Sequence, residues 1–239
     1  MVEQKGTDMT TWTTTERITL GEVSLEGDLT LAEHASGVVL FAHGSGSSRH
    51  SPRNQFVARE LNRRGFATLL ADLLAPEEDT RARRFDVGLL ADRLVGLVDW
   101  LGVQPATAGL PLGLFGASTG AAAALLAAAA RPDSVRTVVS RGGRPDLAGP
   151  GLIEVRVPTL LIVGERDDEV LELNEEARNT MRAHAELRII PSATHLFEEP
   201  GTLETVAEEA GEWFAAFLTS VPPRRHPALD HVATARRWG

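Results

Sequence analysis

The sequence predicts an α/β fold, a mostly parallel sheet of about eight strands with helices on both faces and no large cap domain. Three observations carry this. Short, wholly apolar runs alternate with helical stripes along most of the chain, as strands buried on both faces and their crossover helices do. Two leading segments, Trp12–Leu20 and Glu22–Ala32, instead alternate polar and apolar residues around Gly21, the pattern of antiparallel strands with one face exposed. No repeat interrupts the series, and 239 residues suffice for one sizeable core.

The elements follow in order. Gly37–Ala42 (GVVLFA) is a doubly buried strand, Pro52–Arg64 a helix closed by Gly65, and Phe66–Ala71 the next strand. Apolar residues at 87, 90, 94, 97, 98 and 101 stripe a helix over Asp86–Leu101. Leu112–Phe115 is a strand, Ser118–Ala130 a helix, Val135–Val139 and Thr159–Val163 strands. A helix over Asp168–His184, a strand over Leu187–Ile190 and a helix over Leu203–Leu218 complete the alternation. Leu73–Phe85 is charged and predicted to be a surface excursion near the strand ends. The expected organisation is a single domain over 1–221 and a basic C-terminal tail over 222–239, docked if at all through Trp238.

Composition narrows the chemistry. A net charge of −9 disfavours a broad grip on nucleic acid or anionic lipid, so neither is expected as a partner. With no cysteine, thiol nucleophiles, Fe–S clusters and cysteine-ligated zinc are excluded. With no tyrosine, so is a Tyr-x-x-x-Lys mechanism. Lys5 is the only lysine and lies in a polar N-terminal stretch, which removes P-loop and core Schiff-base candidates. No metal or organic cofactor is expected. The uncharged stretch Leu110–Ala130 is broken by Pro111 and several glycines, so it reads as a buried strand, turn and helix and not as a membrane span. Met1–Thr15 lacks an apolar core, so no secretory signal is read there and a cytoplasmic location is expected.

Four stretches carry candidate chemistry. Gly116-Ala117-Ser118-Thr119-Gly120 lies directly between the strand LGLF and an alanine-rich helix. So tight a strand-to-helix turn strains its middle residue and lifts the Ser118 hydroxyl above the helix N-terminus, where free N–H groups face a developing oxyanion. The competing reading is a glycine-rich turn in which Ser118 merely caps the helix. His195, in Ala193–Phe197 after the last strand, opens on the same edge of a parallel sheet and is the candidate base. Strand Thr159–Val163 leads into Gly164-Glu165-Arg166-Asp167-Asp168, whose Asp167 is the preferred partner for the imidazole, with Asp168 in reserve. Asp168 has a rival task as the cap of the following helix. Finally, His43-Gly44-Ser45-Gly46 follows the first buried strand, and its backbone can aim an N–H into the site, that of Ser45, beside the N–H of Thr119. A phosphate-cradling loop is the rival there, without GK[ST] or GxGxxG to support it.

Two more residues are candidates for substrate binding. His43 lies in the same glycine-rich loop. Arg141, in Ser140-Arg141-Gly142-Gly143-Arg144-Pro145 after another strand, is placed either to grip a substrate carboxylate or to pair with Asp146.

Taken together, these stretches resemble the α/β-hydrolase superfamily, whose triad runs Ser, acid, His along the chain, and within it the dienelactone-hydrolase-like group. The motifs that carry the likeness are the HGSGSSRHSPRN loop, the GASTG elbow, Gly164, Asp167 and Val170 in G-x-x-D-x-x-V, and ATHLFEEPG. The resemblance spans roughly Val38–Phe217 and implies Ser118, Asp167 and His195 as nucleophile, acid and base. It departs in one respect: dienelactone hydrolase uses a cysteine nucleophile, and this chain has serine. The implied activity is therefore a serine hydrolase of small carboxylic esters or lactones, working through an acyl-enzyme. The same fold also hosts acyltransferases and ligand-binding proteins with slow or idle catalysis, so both remain as alternatives.

Overall fold

The computed structural model describes residues 10–218. The expected tail over 222–239, the end of the expected domain at 221 and the N-terminal nine residues lie outside the described residues. Eight strands form one sheet: β1 (Thr11–Leu20), β2 (Val23–Ala32), β3 (Val38–Ala42), β4 (Ala67–Ala71), β5 (Leu112–Ala117), β6 (Val135–Arg141), β7 (Thr159–Gly164) and β8 (Ala185–Ile190). Their spatial order is β1-β2-β4-β3-β5-β6-β7-β8. The first two strands pair antiparallel, β2 joins β4 antiparallel, and every pairing from β4 to β8 is parallel.

The helices are α1 (Pro52–Arg63), α2 (Arg81–Arg84), α3 (Val87–Val103), α4 (Thr119–Ala130), α5 (Asp168–Thr180) and α6 (Thr202–Leu218). The central strands are apolar throughout, yet their side chains still alternate between two cores. Val38, Leu40 and Ala42 of β3 pack with α3 and α4, whereas Val39 and Phe41 pack with α1 and α6. The predicted α3 stripe is the face that is buried, at Leu90, Leu94, Leu97, Val98 and Leu101.

Several elements differ from expectation, among them β5, which runs on to Ala117, and α3, which runs on to Val103. The helix predicted to reach His184 stops at Thr180, and β8 starts at Ala185. Arg-Ala-His-Ala-Glu-Leu suits a helix locally, but β7 offers a free edge, and Thr159 N–H donates to the His184 carbonyl at 2.9 Å to open the pairing. The charged excursion holds the short helix α2, N-capped by Thr80 and tied down by Arg84 on Asp79 and Arg83 on Glu78. Strand β6 runs two residues further than predicted, so Ser140 and Arg141 belong to it. Between β6 and β7 the chain forms only a kinked 3-10 segment, Pro145–Glu154, and no cap is inserted there.

Candidate active site

In a parallel sheet the loops after the strands open on one edge. Strands β3, β5, β6, β7 and β8 deliver all the candidate residues to that edge. Ser118 ends β5 with φ 50° and ψ −123°, a left-handed, strained conformation for a residue with a Cβ. Its neighbours make the turn possible. A Cβ on Gly116 would lie 2.4 Å from Ala121 Cα, and one on Gly120 2.4 Å from the carbonyl oxygens of both Ala42 and His43. Only glycine lets β5, α4 and the β3 exit approach so closely. The Ser118 side chain makes no capping hydrogen bond to α4, so its hydroxyl is not spent on the helix. Its N–H donates to the Arg141 carbonyl at 3.2 Å, and its carbonyl accepts from Arg144 N–H at 3.2 Å.

His195 Nδ1 lies 2.6 Å from Asp167 Oδ2. Asp167 occupies the position just before α5, where a carboxylate would ordinarily cap the helix, yet it makes no such bond. Asp168 is not the cap either: it is the first residue of the helix proper. The loop bearing His195 is braced by contacts within and beside the ATHLFEEPG stretch. Glu199 accepts from Thr194 Oγ1 at 2.7 Å and from Thr194 N–H at 3.1 Å, and these bonds hold its carboxyl below the ordinary glutamate range. Glu165 Oε2 accepts from Ser192 N–H at 2.7 Å. Gly142 backs the imidazole: a Cβ there would come 3.5 Å from His195 Cε1 and Nδ1. Ser118 and His195 thus flank the same end of β6, the serine through the Arg141 carbonyl and the histidine through Gly142.

The two proposed oxyanion donors stay free. Among the described residues, neither Ser45 N–H nor Thr119 N–H is engaged in a hydrogen bond. The β3 loop reaches the elbow at Gly44, where a Cβ would lie 3.3 Å from Ser118 Cβ. His43 walls a cavity beside the elbow, and both its ring nitrogens are engaged by the backbone. Its ring Nε2 accepts from Leu73 N–H at 3.1 Å, which puts the proton on Nδ1 for donation to the Gly44 carbonyl at 2.9 Å. Burial lowers its pKa from the ordinary 6.5 despite the nearby Asp72 and Asp79, so the ring is neutral and pins the loop. Arg49 further fixes this loop, with Glu26 of β2 at 2.6 Å and with Asp72.

A cavity of about 460 Å³ opens beside the elbow, walled by His43, Gly44, Ser45, Arg49, Leu74 and Pro76 among others. A larger hollow of about 710 Å³ lies at the opposite end of the strands, near Val38, Leu112 and Arg136, away from these residues. Arg141 does not pair with Asp146; Arg144 takes that carboxylate, at 2.8 and 2.7 Å. Arg141 is 7% exposed, with Nε and Nη1 unpartnered, and burial first and the Arg53 charge second push its pKa down to about 10. Among the described residues no cluster of His, Asp and Glu could hold a metal, and no helix is long and apolar enough to cross a membrane.

Comparison with known proteins agrees with this architecture. Residues 37–202 match the family described as the alpha/beta hydrolase fold. The dienelactone hydrolase of Anabaena variabilis is 54% identical, superimposes with a TM-score of 0.84, and is matched over 99% of its length and 88% of this chain. Est1E of Butyrivibrio proteoclasticus shares the fold at 17% identity and a TM-score of 0.73, over 84% of this chain and 98% of its own. Two Mycobacterium tuberculosis proteins, from strains CDC 1551 and H37Rv, are 57% identical over 208 residues, 87% of this chain, and their names propose a phosphoribosyl transferase. The chain spans about half the length of these curated relatives, 47% in each case. The chain belongs to the α/β-hydrolase superfamily, in its dienelactone-hydrolase-like group.

Proposed function

We propose that the chain is a serine hydrolase that cleaves carboxylic ester or lactone bonds of small substrates. The observation that carries this reading is the strained Ser118, its hydroxyl uncommitted, at the strand edge that also holds the 2.6 Å Asp167–His195 pair. His195 takes the Ser118 proton as the hydroxyl attacks the carbonyl, and Asp167 holds the imidazole tautomer and stabilises the imidazolium. The Ser45 and Thr119 N–H groups receive the oxyanion, each such donor contributing about 2.7–4 kcal/mol at the transition state. Collapse expels the alcohol, which takes the proton from His195, and leaves an acyl-serine. Water activated by His195 then releases the acid.

Among the described residues no cap is inserted over this edge, which favours hydrolysis over transfer to an alcohol. We assign any phosphoribosyl transfer by the mycobacterial relatives to the half of those proteins that this chain does not span. Pre-steady-state turnover of an activated aryl ester tests the reading. A burst of alcohol stoichiometric with enzyme, abolished by Ser118→Ala, is expected; turnover that survives Ser118→Ala contradicts it.

A further inference from the structure

Arg141 is the only ionisable side chain among the buried residues of the described chain, and no acid among the described residues pairs with it. A guanidinium taken out of water with donors unpaired is costly to the fold, so an anion that pairs with it is bound strongly. Its surroundings share the defect. Arg53, the second residue of α1, also has an unpartnered, solvent-excluded Nε, and the next residue, Asn54, an unpartnered Oδ1. Arg141 sits over the Phe197 ring at 5.9 Å, and Arg53 pairs with Glu198, the very next residue. Two cations are therefore held near one another, at the start of a helix, with hydrogen-bond donors unspent.

We propose that Arg141 and Arg53 form an anion subsite that takes the phosphate group of a phosphate-bearing ester, while the scissile carbonyl sits at Ser118. The location fits. The Arg141 carbonyl holds the Ser118 N–H, and its guanidinium lies 5.9 Å from the centre of the Phe197 ring, two residues beyond His195. Phosphate fits better than carboxylate because two guanidinium groups from different elements offer more donors than two carboxylate oxygens accept, and carry a charge close to two. The start of α1 adds its positive end. Among the described residues the only acid on the pair is Glu198, 3.3 Å from Arg53 Nη1 with its side chain 65% exposed, which an arriving phosphate displaces. On the other side of the elbow, the cavity arginines Arg49 and Arg84 are already matched by Glu26, Asp72 and Asp79, while Arg17 also lines that cavity.

The proposal rests on the serine-hydrolase reading, and two measurements on the full chain separate their failures. Inorganic phosphate is expected to raise the melting temperature of the native protein saturably, whether or not Ser118 is active, and Arg141→Met is expected to abolish that shift. In turnover of matched esters ending in phosphate, carboxylate or hydroxyl, Arg141→Met is expected to lower kcat/KM for the phosphate ester by about 10- to 100-fold relative to the hydroxyl ester, mainly through KM. Arg53→Gln, at a half-exposed position where folding is not at stake, is expected to produce a smaller loss in the same direction. No phosphate-dependent shift in the native chain, a preference for the carboxylate ester, or equal losses on charged and neutral esters overturns the subsite. A phosphate shift without a turnover burst overturns the hydrolase reading alone.

Discussion

Asp167 and His195 meet at 2.6 Å across 28 residues of sequence, and the carboxylate makes this contact from a position where it would ordinarily cap α5. The helix gives up a cap worth about 1 kcal/mol, and the imidazole gains an orienting partner. Asp168 and Glu169 in the first turn of α5 supply negative charge to the helix end in its stead.

This division of labour separates the two aspartates by experiment. Asp167→Asn is expected to lower kcat about 10⁴-fold with little change in fold, since an amide stabilises the wrong tautomer. Asp168→Asn is expected to stay within a few-fold of the native rate. Steady-state kinetics on an aryl ester checks both, and comparable losses in the two variants contradict the assignment.

The elbow glycines are predicted to be intolerant. A Cβ at Gly120 would meet two carbonyl oxygens at 2.4 Å with no flexible side chain to give way. Gly120→Ala is expected to cost about 3 kcal/mol or more in urea unfolding, above the usual range for overpacking. A variant as stable as the native chain shows the elbow to be looser than described.

His43 predicts an acid limb in stability. Burial depresses its pKa in the folded chain below 6.5, so the unfolded chain binds more protons as the pH drops. Its contribution is therefore complete above pH 6.5 and is lost as the pH falls below that value through the folded pKa. Urea midpoints between pH 7.5 and 5 are expected to fall for the native chain and to fall less for His43→Gln. Equal slopes contradict a neutral, clamped His43.

Glu199 is predicted to act through the loop that it braces. Glu199→Gln keeps the side chain's length but weakens its bonds to Thr194, so His195 is held less firmly. A drop of about 10- to 100-fold in kcat with KM nearly constant is expected, as for other small misplacements of a reacting group. An unchanged kcat removes Glu199 from the account.

Much of this architecture was legible because the central strands are continuous apolar runs bounded by glycine and charge, a pattern no surface element shares. The motif residues were legible for the same reason: Ser118, Asp167 and His195 each follow a recognisable strand, and topology alone brings strand ends to one edge. What stayed hidden depends on contacts between distant segments. Arg53 looks like an ordinary first-turn residue until β6 brings Arg141 near it, 88 positions on. His43 lines the cavity, but its task of pinning the loop shows only once the Leu73 N–H is found on its ring. The α5–β8 boundary was misjudged because a helix-forming stretch is claimed by the open edge of β7. Spacing of Thr194 and Glu199 was the one available hint of the loop brace.

The most direct test of the central claim is intact-protein mass after brief exposure to a fluorophosphonate, for the native chain, Ser118→Ala and His195→Ala. One probe per native chain, with labelling lost in both variants, is the predicted result. A folded native chain that takes up no probe contradicts an activated Ser118.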